Sequence, residues 1–313
     1  MRGMRGKRSR RAGAARLALV VLVGASAATR DAEASDTGPG PAGSLSDPPL
    51  PPEPPPPEAY GGYSPDNLID LSMRRSWNEG RTRAFAAGTL DVGWTYVRPR
   101  LSLGYGKPFA TWVGVDLNPI VSARGFGGYG GLRLALPRFD LRVGPRYFFA
   151  FNREYLNPQG SYNRLDLDST AGNPARILTF EAEFEASLPG GPGDFIVLGS
   201  VSYVTNVPKG QYVFEETLRV IVDPPLVWRA RGGYVFRFGT SRQHSAGLVA
   251  DVLNVPGRDD STTVRAGPVI RVVLSRRVEV RGTFVPTIIS PDHLGLVGGD
   301  FTELGFRYRW ASE

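Results

Sequence analysis

The 313 residues contain no cysteine and two histidines, His244 and His293. The first absence excludes disulfides, thiolate metal sites and cysteine nucleophiles. It also excludes a lipoprotein anchor, which needs a cysteine at its cleavage point. Long apolar runs are missing too: no stretch reaches the roughly 18–20 residues that a membrane-spanning helix requires. The longest, LALVVLVGASAA, has about 12. A domain of this size without disulfides must hold together by burial and hydrogen bonds.

That apolar stretch follows a basic segment, MRGMRGKRSRRAGAAR, and runs into Ala25-Ser26-Ala27. Basic, apolar, then small is the order of a cleavable secretory signal peptide over residues 1–27. A second small triplet, Ala32-Glu33-Ala34, gives cleavage after 34 as the alternative. Arg10-Arg11 invites a twin-arginine reading, but the apolar residue expected soon after the pair is missing. The formal charge is +7, and residues 1–27 hold seven basic residues and no acid, so the mature chain is near neutral. The basicity belongs to the export signal, and no nucleic-acid partner is expected.

Residues 28–59 are rich in Pro, Gly, Ser and Asp and end in PPLPPEPPPPE. Such a segment buries little apolar surface and lacks N–H donors, so it reads as a disordered or polyproline-type spacer. Residues 60–81 include SPDNLIDLSMRRSWNEG. There Ser64-Pro65 resembles a helix start, and Leu68, Leu71 and Trp77 could share one face of a short helix.

From residue 82 to 313 the pattern changes to period two. In 177–188, Leu178, Phe180, Ala182, Phe184, Ala186 and Leu188 oppose Glu181, Glu183 and Glu185. In 226–238, Trp228, Ala230, Tyr234, Phe236 and Phe238 oppose Arg229, Arg231 and Arg237. In 139–151, Phe139, Leu141, Val143, Tyr147, Phe149 and Phe151 oppose Asp140, Arg142 and Arg146. In 263–274, Val264, Ile270, Val272 and Leu274 oppose Arg265 and Arg271. A helix would scatter these charges around its circumference, whereas a strand places them on one side. Turn residues separate the segments, among them Gly106-Lys107-Pro108, Leu136-Pro137-Arg138, Pro208-Lys209-Gly210 and Asp223-Pro224-Pro225. The fold expected is all-β: an antiparallel up-and-down transmembrane barrel of about 12 strands.

Alternation alone also suits a soluble barrel, whose apolar face would point into a core. Aromatic residues near the strand ends, glycines inside strands (GFGGYGG at 125–131) and charged faces that mix Glu rows with Arg rows favour the inverted arrangement. On that reading the Glu and Arg rows pair across a narrow lumen. The last segment, LGFRYRW at 304–310, looks like the terminal strand of Gram-negative outer-membrane β-barrel proteins, the β-signal read by the barrel assembly machinery. Phe306, Tyr308 and Trp310 match its alternation and its final aromatic; the trailing Ala311-Ser312-Glu313 depart from it. The motif covers about seven residues and points to no subfamily. The resemblance implies an outer-membrane location, a lipid surround, and the assembly machinery as partner of the last strand.

The longest connection, about residues 154–175, should be extracellular, yet counting 12 strands back from the C-terminus puts it on the periplasmic side. The sequence leaves open whether that connection or the 64–80 segment fills the lumen.

Catalysis finds little support. His244-Ser245 and Asp292-His293 are adjacent pairs, whose side chains point to opposite faces of a strand. Neither forms by itself the dyad of an outer-membrane phospholipase or protease. Asp166, Asp168 and Asp251 could contribute to calcium binding in loops, but no cofactor or metal is expected. GFGGYGG is followed by a strand pattern, not by the helix that a phosphate loop needs.

The inward charges are the candidate site: Glu181, Glu183, Glu185, Arg142, Arg146, Arg229, Arg231, Arg265, Arg271, Arg281, Arg307 and Arg309. They would set ion selectivity in an open pore, or seal the lumen as an ion-pair network. The expectation is a non-enzymatic barrel, either structural or a narrow channel for small solutes that leans toward anions. Two alternatives belong to other classes: a lipid- or peptide-processing barrel enzyme, and a soluble periplasmic barrel that binds a small apolar ligand.

Overall fold

A computed structural model describes residues 81–312 apart from 94–95, 123, 168–173, 241, 259–260 and 302–304. The signal peptide, the spacer and the 60–80 segment lie outside the described residues, as does Asp168.

The period-two segments form strands β1 (Arg83–Gly93), β2 (Tyr96–Lys107), β3 (Thr111–Ser122), β4 (Gly125–Leu136), β5 (Phe139–Glu154), β6 (Pro174–Gly190) and β7 (Gly193–Thr205). A small hairpin follows, β8 (Val213–Glu215) and β9 (Val220–Val222). The series resumes with β10 (Leu226–Phe238), β11 (His244–Asn254), β12 (Thr263–Val273), β13 (Val278–Thr283), β14 (Thr287–Ile289) and β15 (Gly305–Ala311). Consecutive wall strands pair antiparallel: β7 pairs with β10, β11 with β12, and β15 returns to β1, so no edge is left open. β13 and β14 are two pieces of one wall strand, broken at Pro286, which has no N–H for the ladder. The result is a closed barrel of 12 antiparallel strands, with almost no helix among the described residues.

An even strand count returns both ends of the barrel domain to one side. The connections on that side are short, such as Pro137-Arg138 and Gly191-Pro192. The long ones, 155–173, 206–225, 255–262 and 290–304, all lie at the opposite end. The 154–175 connection is therefore opposite the termini, which corrects the strand count that put it on their side. The 206–225 segment, bounded by two predicted turns, adds no strand to the wall.

Pleating places the two sets of side chains as period two requires. Leu103, Val113, Leu132, Phe180, Val201, Leu248, Ile270 and Phe306 face outward and are exposed. Asp91, Asp116, Arg146, Asp251, Arg265, Glu279 and Arg307 face inward and are buried. Strand glycines allow close approach between neighbours: a Cβ on Gly144 would run into the Gly130 carbonyl of the adjacent strand.

Candidate functional site

The lumen is occupied by ion pairs, and these join neighbouring strands more often than they cross the barrel. Arg142 meets Glu183 at 2.5 Å, and the two are directly paired in the β5–β6 register. Arg146 meets Glu181 at 2.8 Å. Arg133 bridges Asp140 (2.9 Å) and Asp116 (3.0 Å), and the Ser102 hydroxyl donates to Asp116 at 2.5 Å. Arg229 reaches Asp251 at 2.8 Å and Asp300 at 3.1 Å, while Arg231 holds Asp251 and meets Asp300 at 2.5 Å. The expectation of Glu rows facing Arg rows across the lumen is corrected: adjacent strands stand about 4.8 Å apart, within reach of one side chain.

Strands β12, β13, β15, β1 and β2 form a different kind of wall. Glu279, fully buried, receives Arg309 at 3.0 Å, with Arg281 at 3.6 Å and Arg271 and Arg307 at 3.7 Å. Asp91 receives Arg307 and, at 3.2 Å, Arg98. Arg100 takes part in none of these pairs. The sequence reading missed Arg98, Arg100, Arg133, Asp91, Asp116 and Glu279. The signal was present as single charges in alternating frames such as TLDVG and VGVDL, too sparse to stand out as rows.

One end of the lumen is capped. The β8–β9 hairpin turns inward at the end away from the termini, instead of the 154–175 connection alone. One face of it (Val213, Leu218, Val220, Val222) packs on Phe148, Ile177, Val204, Val227 and Leu253 of the wall. The other (Phe214, Ile221) packs under Leu156, Tyr162, Leu167, Leu294 and Val297 of the outer loops. Fully burying such a side chain is worth about 1.5–3 kcal/mol, so the cap is a built core.

Polar latches complete it. Arg146 donates to Glu215 and to Thr217, and Arg265 donates to the carbonyls of Leu218 (2.9 Å) and Arg219 (3.0 Å). Arg153 meets Glu216 at 2.6 Å. Burial raises the Glu216 carboxyl above the ordinary range, against the pull of Arg153. In the outer layer Arg258 donates to both oxygens of Asp292, at 2.8 and 2.9 Å. Burial opposes the charge on Arg258, but Asp292 outweighs it and raises its pKa.

Beneath Thr217 the lumen holds a cavity of about 240 Å3. Among the described residues, nine arginines line it (Arg98, Arg100, Arg133, Arg142, Arg229, Arg231, Arg271, Arg281 and Arg307) against four acids (Asp140, Glu183, Glu185 and Asp300). Arg265, Arg309, Arg146 and Glu181 lie outside this lining; Arg146 and Arg265 bind the hairpin, and Arg309 pairs with Glu279.

The other candidates fall in structural roles. Asp251 is not a loop residue; it lies on β11, paired with two arginines. Asp166 accepts from the Asn163 N–H at 2.7 Å. Asp292 is held by Arg258 and also accepts from the Tyr162 N–H, while His293 is exposed. The His244 ring accepts the Val273 N–H at 3.1 Å and packs on Phe238. Phe306, Tyr308 and Trp310 project outward from β15. No protein-family model matches the chain, and no curated protein is significantly similar to it.

Proposed function

We propose that the chain is a non-enzymatic outer-membrane barrel serving as a narrow, anion-leaning channel for small solutes, closed at rest by the 206–225 hairpin. The observation that carries the membrane reading is the outer surface. Among the described residues, the outward positions of the strand bodies are apolar right around the barrel, with Lys107, Arg176 and His244 only near strand ends. A soluble barrel would turn its charges to this side, and soluble monomers rarely expose apolar patches beyond a few hundred Å2. The outward run from Phe139 to Phe151 has a matching height. Its residues rise about 3.3 Å each, and a tilt of about 40° gives about 30 Å, close to a bilayer's hydrocarbon core.

On this reading the termini and short turns are periplasmic and the capped end is extracellular. Phe306, Tyr308 and Trp310 face lipid on the strand offered to the assembly machinery. The arginine excess around the cavity supports the leaning toward anions. A permanently closed structural barrel is the second reading, favoured by the apolar packing on both faces of the hairpin.

A heat-modifiability gel tests the membrane reading. The expected result is a folded-to-unfolded mobility shift in a fraction that resists carbonate extraction; full carbonate release without a shift would overturn it. Planar-bilayer recording separates the two versions, with rare anion-selective openings expected and silence across salts and voltages favouring the structural barrel.

A further inference from the structure

The cavity is not evenly lined. On the wall made by β12, β13, β15, β1 and β2, Arg98, Arg100, Arg271, Arg281 and Arg307 all face the void. The carboxylates of the same wall, Asp91 and Glu279, do not line it; they are 3% and 0% exposed and stand behind the guanidinium groups. Counted over these five strands, eight arginines stand with two acids, Asp91 and Glu279. The facing wall is different: there Arg133 and Arg142 line the cavity together with Asp140, Glu183 and Glu185. Among the described residues, positive charge is therefore presented on one side of the cavity, and Asp91 and Glu279 stay outside its lining.

We infer that this wall is a binding site for a small multivalent oxyanion of the phosphate class, seated against Arg98, Arg100, Arg271, Arg281 and Arg307. The inference rests on the channel reading above and names the solute class that the lumen would hold. Guanidinium groups match such an anion better than ammonium groups would, because each offers a planar fork of N–H donors to two oxygens. Size points the same way: about 240 Å3 is below the roughly 300–1,000 Å3 typical of drug-sized ligands. Monovalent chloride satisfies one fork at a time, whereas a tetrahedral dianion engages several.

The test uses the folded barrel in detergent, with inorganic phosphate as the probe and chloride at matched ionic strength as the reference. Calorimetric titration should show saturable phosphate binding that chloride does not reproduce. Arg100→Gln with Arg281→Gln should weaken it at least tenfold, while the double lysine variant, which keeps charge but loses the fork, should fall between. The gel mobility shift reports whether each variant still folds. If the glutamine pair does not fold, the lysine pair and Arg100→Gln alone carry the comparison. Phosphate behaving as chloride does, or binding unchanged in the folded variants, would overturn the site. A barrel that shifts normally on the gel but ignores phosphate sinks this inference and leaves the membrane reading standing; loss of the shift in the parent protein sinks the membrane reading itself.

Discussion

Replacing Glu215 by alanine should unlatch the cap. Glu215 is 1% exposed; its carboxylate holds the Arg146 guanidinium and accepts the Leu218 N–H at 2.5 Å. Removing one partner of a buried ion pair costs about 3–5 kcal/mol, because the other charge is left bare. Arg146 keeps Glu181 at 2.8 Å, so the lower end applies, about 3 kcal/mol. The orphaned Leu218 N–H adds about 1–2 kcal/mol. When the hairpin swings out, water reaches both groups, so the loss falls on the closed state. A shift of about 4 kcal/mol lowers the closed-to-open ratio nearly a thousandfold. Single-channel recording reads this directly as open probability. Glu215→Gln, which retains an acceptor for Leu218 but not the charge, should give a smaller rise, and Lys209→Ala, exposed in the same loop, should give none. Open probability unchanged within about threefold in a Glu215→Ala barrel that still folds would refute the latch.

Other perturbations probe the same architecture. Leu156 and Tyr212 exchange both backbone hydrogen bonds, each 2.8 Å, a pairing with Cα atoms about 5.5 Å apart and within disulfide reach. Leu156→Cys with Tyr212→Cys, in a chain with no other cysteine, should abolish openings when oxidised and restore them on reduction; indifference to reductant would mean the hairpin is not the gate. Leu248 is 67% exposed midway along β11. Leu248→Arg should destabilise the barrel by about 2–4 kcal/mol in lipid-bilayer urea titrations. At an aqueous surface the same change falls within about 0.5 kcal/mol, so a loss that small would contradict the lipid-facing reading. Burial raises the Glu216 carboxyl pKa in the docked hairpin. An acid whose pKa is raised by docking favours the docked state below its undocked pKa, and that contribution is lost as pH rises through the docked value. Openings should therefore become rarer on acidification, and Glu216→Gln should flatten the dependence; a steeper profile in the variant would reverse the sign argument.

The wall was legible because its code is binary. A strand such as 177–188 shows its faces in the letters alone, since lipid and lumen select opposite chemistry at every second residue. The cap was not legible. Its residues, Val213, Phe214, Glu215, Val220, Ile221 and Val222, are all buried because the hairpin has wall on one side and loops on the other. A segment buried on both faces reads as a short apolar run, which alternation cannot distinguish from another wall strand. Pairing was legible only in type: the Glu181, Glu183 and Glu185 row predicts arginine partners, but register decides that Arg142 rather than an arginine across the lumen takes Glu183.

The two kinds of contact that hold the hairpin have different consequences for gating. Arg265 gives two charge-assisted hydrogen bonds to the Leu218 and Arg219 carbonyls, which water can replace when the hairpin leaves, so each is worth about 1.5–3 kcal/mol net, and there are only two. The apolar contacts have no such replacement, and each buried side chain contributes about 1.5–3 kcal/mol. Closure is therefore set chiefly by Val213, Phe214, Leu218, Val220, Ile221 and Val222, all 6% exposed or less. The latches act mainly by making the wrong position costly, because Arg146 buried without Glu215 is worse than Arg146 in water. A gate built this way responds weakly to salt and strongly to loss of one charged partner. The signal that opens it must then either lift the apolar face or compete for a latch, and Thr217, which accepts from Arg146, is the hairpin residue that lines the arginine-rich cavity.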